Sequence, residues 1–347
     1  MAATRYVSVL VALTVAAGSM SPAALAADSL RVCALEPVAE SLRDLADRHD
    51  RLQIVAASDP DDLVEKLTSC RALIGLYPSG KTAEILEAGR HLEWIQSMSA
   101  GVEAYLSVEG FRESPVILTN AKIIQGPEIA DHAFALLLGL TRDLKFFNEQ
   151  MGVGFERRSR LPLIELRDKT ALVIGLGGIG TQTAQRAAAF GMHVLAVDPK
   201  DVPLHRDVEY VGQPDELDAL LPRADVIFSC APLTRETRGM LGPKQFEQMK
   251  DGVYLINVSR GGIINTDSLL AALRSGKVRG AGLDVTDPEP LPADHPLWSM
   301  PNVIITPHVA GASDGVEQRR MKLMRDNLER FALGRPLRHV VDKRRGY

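Results

Sequence analysis

Residues 171–180 read Ala-Leu-Val-Ile-Gly-Leu-Gly-Gly-Ile-Gly, and the chain continues to Val197-Asp198. An apolar strand over 171–174 is followed by Gly175, Gly177 and Gly180, then by a helical stretch over 181–190. This is G-x-G-x-x-G between a strand and a helix, with Gly178 and Ile179 inside it. The first glycine allows the tight turn, the second lets a pyrophosphate approach the backbone, and the third lets helix and strand pack closely. The helix N-terminus offers free N–H groups and a positive dipole to phosphates. Taken alone, the glycines fit a turn in any α/β protein. The next strand, over 193–197, ends in Asp198, where a carboxylate accepts hydrogen bonds from a ribose diol and repels a 2′-phosphate. A dinucleotide site is therefore expected, with NAD favoured over NADP; Lys200 is the one nearby residue that weakens the preference.

Further strands follow at 208–211, 225–229, 253–258, 280–283 and 303–306, rich in Val, Ile and Leu as buried parallel strands are. Upstream, short apolar runs at 30–35, 52–56, 72–76, 94–97 and 116–119 alternate with helical segments, including an amphipathic one at 39–49. They form a first, smaller α/β unit. The helix expected at 128–144 is apolar on almost every side over 133–140, which suggests burial in an interdomain or subunit contact. A long helix is expected at 316–333, and 342–347 reads as a solvated end. The fold class is α/β: two doubly wound parallel-sheet domains, Rossmann-like or flavodoxin-like, with a cleft between them.

The chain has 347 residues, 46% hydrophobic and 24% charged, which suits two globular domains at roughly 100–200 residues each. A net charge of −4 with no long basic run gives no footprint for nucleic acid. No residue is assigned to a metal. Three cysteines, Cys33, Cys70 and Cys230, cannot form a disulfide framework, since one is left over, and they read as incidental to disulfides. Residues 1–26 are unlike the rest. Arg5 is the only charge before Asp28, an apolar run covers 6–17, and Ala24-Leu25-Ala26 closes the segment. This has the form of a secretory signal peptide cleaved after Ala26, implying a periplasmic or secreted protein. The run is shorter than the ~20 residues of a spanning helix, so no stable membrane anchor is expected. The segment carries no Arg-Arg pair, which disfavours export of an already folded, cofactor-loaded protein. The alternative is an over-extended start, with Met20 as the first residue of a cytoplasmic enzyme.

Ligands of open parallel sheets bind beyond the carboxyl ends of the strands. In the second unit those ends carry Gly175, Asp198, Cys230-Ala-Pro232, Ser259-Arg260-Gly261, Asp284 and Thr306-Pro307-His308, with Glu289 in a proline-rich turn between the last two. Singly, Arg260 fits a surface arginine, His308 a satisfied core histidine and Glu289 a solvated loop acid. Jointly they stand at one edge beyond the glycine loop.

These stretches, with Cys230–Thr237, Leu255–Gly262, Gly282–Val285 and Asn302–Gly311, resemble the D-isomer-specific 2-hydroxyacid dehydrogenase family. The resemblance implies an enzyme transferring a hydride between NAD(H) and C2 of a small 2-hydroxy or 2-keto acid of the glyoxylate, hydroxypyruvate or pyruvate class. It implies a substrate domain over 28–127 completed by 312–347, an NAD domain over 128–311, and a homodimer with 128–144 near its interface. His308 matches the acid/base and Glu289 the carboxylate that orients it. Arg260 matches the residue that binds the substrate carboxylate and keto oxygen, its planar fork suiting an acid group. Ser99–Val102 resembles the loop whose N–H groups, at Ala100 and Gly101, hold that carboxylate. Asp284 matches the acid near the nicotinamide amide, while Cys230, Pro232, Val258 and Gly311, with Arg260 and His308, match cofactor-lining positions. Asp131 and Thr286 depart from the common pattern without removing a catalytic group. Glu289 argues against the formate-oxidising branch, and the chain leaves no room for the regulatory domain of longer phosphoglycerate dehydrogenases. The alternative is an NAD-sensing, corepressor-like binding protein; the intact Arg260, Glu289, His308 set favours the enzyme.

Overall fold

The computed structural model describes residues 29–154, 159–200 and 206–347, so the leader expected at 1–26 lies outside the described residues. Five strands, β1 (Leu30–Leu35), β2 (Leu52–Ala57), β3 (Ala72–Leu76), β4 (Trp94–Ser97) and β5 (Ile117–Thr119), form one sheet in the order β2-β1-β3-β4-β5. Seven more form a second: β6 (Thr170–Ile174), β7 (His193–Val197), β8 (Tyr210–Gly212), β9 (Val226–Ser229), β10 (Val253–Asn257), β11 (Val278–Leu283) and β12 (Val303–Ile305). Its order is β12-β11-β10-β9-β6-β7-β8. Every pairing between these strands is parallel. The first order is flavodoxin-like; the second is the Rossmann order carried one strand further.

Parallel neighbours need crossovers, and helices supply them. In the first unit these are α1 (Glu36–Glu40), α2 (Arg43–Ala46), α3 (Pro60–Leu67), α4 (Thr82–Ala88) and α5 (Glu103–Leu106). Then come α6 (Gly126–Thr141), α7 (Leu144–Glu149), α8 (Gly178–Ala189), α9 (Leu217–Leu220), α10 (Pro243–Gln248), α11 (Thr266–Ser275) and α12 (Val316–Ala332). Strands β3, β4, β9 and β10 are buried at every residue and apolar except at Gln96, Ser97, Ser229 and Asn257, each of which is hydrogen-bonded. Helix α6 packs on α8 and on β10, β11 and β12, so its broad apolar surface is used inside the second unit. Helix α12 returns to the first: Met324 and Leu328 join Leu30, Val32, Ile74 and Trp94 in one core. The two units are thus interleaved along the chain.

Four expectations change. The amphipathic stretch at 39–49 is two short helices, because Ser41 Oγ turns back to the Val38 carbonyl at 2.6 Å and competes with helical bonding. The helix expected to reach 144 stops at Thr141. Asp143 is left-handed (φ 51°), and its carboxylate accepts the Arg160 and Leu161 N–H groups at 2.5 and 2.9 Å. The tail is only partly a solvated end: just after the Val340–Thr119 bridge and buried Val341, Lys343 Nζ donates to the carbonyls of Phe111, Ser114 and Val116, while Asp342, Arg344 and Arg345 stay exposed. Finally, Cys33 and Cys70 are not incidental. They form a disulfide, with Cα atoms 6.0 Å apart and both residues buried. An odd count excludes a framework but not one pair; Cys33 lies mid-β1, and Cys70 ends the turn that feeds the neighbouring β3.

Candidate active site

The glycine turn leaves β6 at the point where the strand order reverses, between β7 and β9. Gly175 has φ 94°, and its N–H donates to the Val197 carbonyl at 2.8 Å. A side chain there would be strained and would press on the Ala231 backbone at 2.9 Å. At Gly180 a Cβ would stand 1.8 Å from the Gly175 oxygen, so the turn closes only with glycine. Around Gly177, by contrast, a Cβ meets nothing within 4 Å. That is the open side a pyrophosphate needs, above the N-terminus of the 12-residue α8. Asp198, at the end of β7, accepts the Leu176 N–H at 2.7 Å and the Lys200 N–H at 2.9 Å, which fixes its carboxylate beside the turn. The residues present fit a dinucleotide.

The other expected cofactor-lining residues surround this turn. Cys230 is buried, its Sγ 3.8 Å from Thr183 Oγ1, and burial pushes its thiol up to about 12. Val258 is buried, Ile179 is half-buried and Pro232 exposed. The Gly311 carbonyl accepts from Gln125 Nε2 at 3.1 Å, tying the return crossing to the first.

The residues expected to be catalytic leave adjacent strands. Asn257, Leu283 and Ile305 are register neighbours at the ends of β10, β11 and β12, and Arg260, Glu289 and His308 follow them. Asn257 braces the first exit: its Nδ2 donates to the Arg260 carbonyl at 2.9 Å and its Oδ1 accepts the Ser259 N–H at 3.2 Å. Gly261 lies flat on the next exit, where a Cβ would come within 1.9 Å of the Thr286 oxygen. His308 is held in the left-handed region (φ 54°), a conformation uncommon for histidine. Its N–H donates to the Asp284 carbonyl at 2.8 Å, while the Asp284 carboxylate accepts Thr306 Oγ1 at 2.6 Å and the Val309 and Ala310 N–H groups at 3.0 Å each. Asp284 is 2% exposed, and its carboxylate braces the histidine loop. His308 Nδ1 meets Glu289 Oε1 at 2.6 Å, leaving Nε2 for a ligand.

Across the cleft, Ala100 and Gly101 follow β4. Asn120 Nδ2 binds the Ala100 carbonyl at 2.6 Å and Ser97 Oγ accepts the Ser99 N–H at 3.0 Å, so this loop is fixed by its own domain. The Arg260 guanidinium reaches it from the second domain: a Cβ at Gly101 would stand 2.0 Å from the terminal NH2 nitrogen. The structure thus brings Arg260 onto the Ala100-Gly101 loop, and Glu289 onto His308. Two residues that sequence reasoning missed join them. His132 on α6 bonds Thr306 Oγ1 at 2.8 Å, and Glu103 on α5 accepts from Arg260 Nε at 3.0 Å. Neither carries a local signal beyond its residue type.

The profile described as D-isomer specific 2-hydroxyacid dehydrogenase, NAD binding domain, matches residues 134–310. The chain belongs to the D-isomer-specific 2-hydroxyacid dehydrogenase family. Among curated relatives, it is 32% identical to a D-3-phosphoglycerate dehydrogenase of Archaeoglobus fulgidus over 90% of this chain, spanning 59% of that protein's length. A hydroxypyruvate reductase of Thermotoga maritima is 33% identical over 84% of this chain and 94% of its own. Among solved structures, a D-isomer specific 2-hydroxyacid dehydrogenase family protein of Aeromonas salmonicida superposes with TM-score 0.77 at 34% identity, over 91% of this chain and 99% of that one. An NADPH-dependent glyoxylate/hydroxypyruvate reductase of Sinorhizobium meliloti, solved with NADP and sulfate, gives TM-score 0.76 at 26% identity over 92% and 100% of the two chains. The family's NAD-binding domain is the second unit described above, and the glycine turn, Arg260 and Asp284 all fall within the matched span.

Proposed function

We propose that this family member is a D-2-hydroxyacid dehydrogenase working on small 2-keto and 2-hydroxy acids of the glyoxylate and hydroxypyruvate class. The observation that carries the reading is the placement of Arg260 on the Gly101 loop, with the His308–Glu289 pair two strands away in the same sheet. The Ala100 and Gly101 N–H groups and the Arg260 fork hold the substrate carboxylate, and the fixed charge of Arg260 polarises the neighbouring keto oxygen. His308 Nε2 gives that oxygen a proton in reduction and takes the hydroxyl proton in oxidation, while Glu289 keeps the ring in the tautomer and orientation required. A bound nicotinamide supplies or accepts the hydride. With Asp284 bracing its loop, His308 is positioned before any ligand arrives. Purified protein is expected to oxidise NADH with glyoxylate, hydroxypyruvate or pyruvate. Tight NADH binding without turnover on any of the three would return the NAD-sensing reading.

NAD is the proposed cofactor over NADP, supported by the Asp198 carboxylate beside the glycine turn; the Sinorhizobium relative's use of NADPH and the nearby Lys200 pull the other way. Asp198→Ala is expected to reduce the NADH-over-NADPH ratio of kcat/KM by about tenfold, the worth of one lost hydrogen-bonding contact to the ribose. An unchanged ratio would sink the assignment. A homodimer is also proposed. The proposal is supported by Leu144, Met151 and Val153, apolar side chains exposed close together in sequence after α6, the last 79% exposed. Light scattering at assay concentration tests it, and a monomer there would refute it. An oxidising compartment is proposed for the mature chain: the Cys33–Cys70 pair supports the export reading of residues 1–26.

A further inference from the structure

Arg260 and Glu103 belong to different domains and lie 157 positions apart, yet Glu103 Oε1 accepts the Arg260 Nε–H at 3.0 Å. Arg260 NH1 donates to the carbonyl of its neighbour Ser259 at 2.7 Å. These two bonds fix the guanidinium at two of its three nitrogens. The remaining nitrogen, NH2, is pressed against Gly101: a Cβ there would stand 2.0 Å from it and 2.6 Å from Glu103 Oε2. A planar fork held at Nε and NH1 has one orientation, and it places NH2 on the Ala100-Gly101 loop. Glu103 sits in the first turn after that loop, so the same segment presents the backbone N–H groups and fixes the arginine that works beside them.

We infer that Glu103 is the positioning residue of Arg260, holding Nε so that NH2 faces the substrate carboxylate and closing the two domains around it. The inference rests on the proposed role of Arg260. Both partners are partly exposed, at 30% and 42% of their side chains. An exposed ion pair contributes little to stability, because water screens it. Its effect belongs instead in orientation, where a small misplacement of a binding group costs up to about a hundredfold.

The test is steady-state reduction of glyoxylate or hydroxypyruvate with NADH by wild type, Glu103→Ala, Glu103→Gln, Arg260→Lys and the Glu103→Ala/Arg260→Lys double variant. Glu103→Ala is expected to raise the keto-acid KM by about tenfold or more, with a smaller change in kcat. Its thermal midpoint and its NADH Kd, read by fluorescence titration, stay at the wild-type values. Glu103→Gln keeps an acceptor for Nε–H and recovers most of the loss. In the Arg260→Lys background, which has no Nε fork to hold, Glu103→Ala adds no further change. An unchanged or lowered keto-acid KM in Glu103→Ala overturns the inference, as does an equal loss in the lysine background. If Arg260→Lys itself leaves the keto-acid KM unchanged, the reading of Arg260 fails and the inference goes with it.

Discussion

His308→Ala is expected to lower kcat for keto-acid reduction by about two to four orders of magnitude, the usual worth of a positioned general acid. In the proposed reaction the ring hands a proton to the keto oxygen from a fixed place. Nδ1 is occupied by Glu289 at 2.6 Å, and the backbone is pinned by Asp284. The position is left-handed, at φ 54°, where alanine is strained, so His308→Asn serves as the second variant: asparagine tolerates this conformation and cannot relay the proton. Both variants should lose turnover with normal folding by circular dichroism. Glu289→Gln, which retains an acceptor for Nδ1–H but no charge, should fall between them and wild type. Wild-type kcat in either His308 variant would remove the acid/base role.

Opening the Cys33–Cys70 bridge is the largest stability effect expected. The bond closes a loop with a sequence separation of 37, and cross-links of this span stabilise by about 2–4 kcal/mol through the unfolded chain. Cys33→Ala with Cys70→Ala should lower the denaturation midpoint of the first domain accordingly. Counting thiols gives the sharper check. Native protein purified without reductant should show no reactive thiol, because Cys230 is buried and its thiol is pushed up to about 12. Unfolded without reductant, it should show one, and after reduction three. Three thiols in unreduced, unfolded protein would refute the pairing. They would also remove the support it gives to export, which fractionation and the mature N-terminus then decide.

Most of the sheet architecture was legible in the chain. Strands at 72–76 and 193–197 fall where their apolar runs place them, since a strand buried on both faces writes its burial directly into consecutive residues. The carboxyl-end rule brought Arg260, Glu289 and His308 to one rim before any coordinates, because it depends only on parallel pairing. The helix limits were less legible. Whether a serine at 41 or an aspartate at 143 ends a helix depends on what their side chains bond, and for Asp143 the donors come from residues 160 and 161.

By itself, the sequence determined two parallel-sheet units, the glycine turn with its acidic strand end, and the identities of the groups at the rim. Each is encoded in a short stretch whose periodicity or steric demand is local. Tertiary structure alone decided which distant groups meet: Cys33 with Cys70, the tail with β5, Asp284 as the brace of the His308 loop, and Glu103 with Arg260 across the cleft. Those partners are chosen by how the elements pack within each domain and, for Glu103 with Arg260, by how the two domains meet. No spacing along the chain records a contact that exists only once both domains have closed on each other.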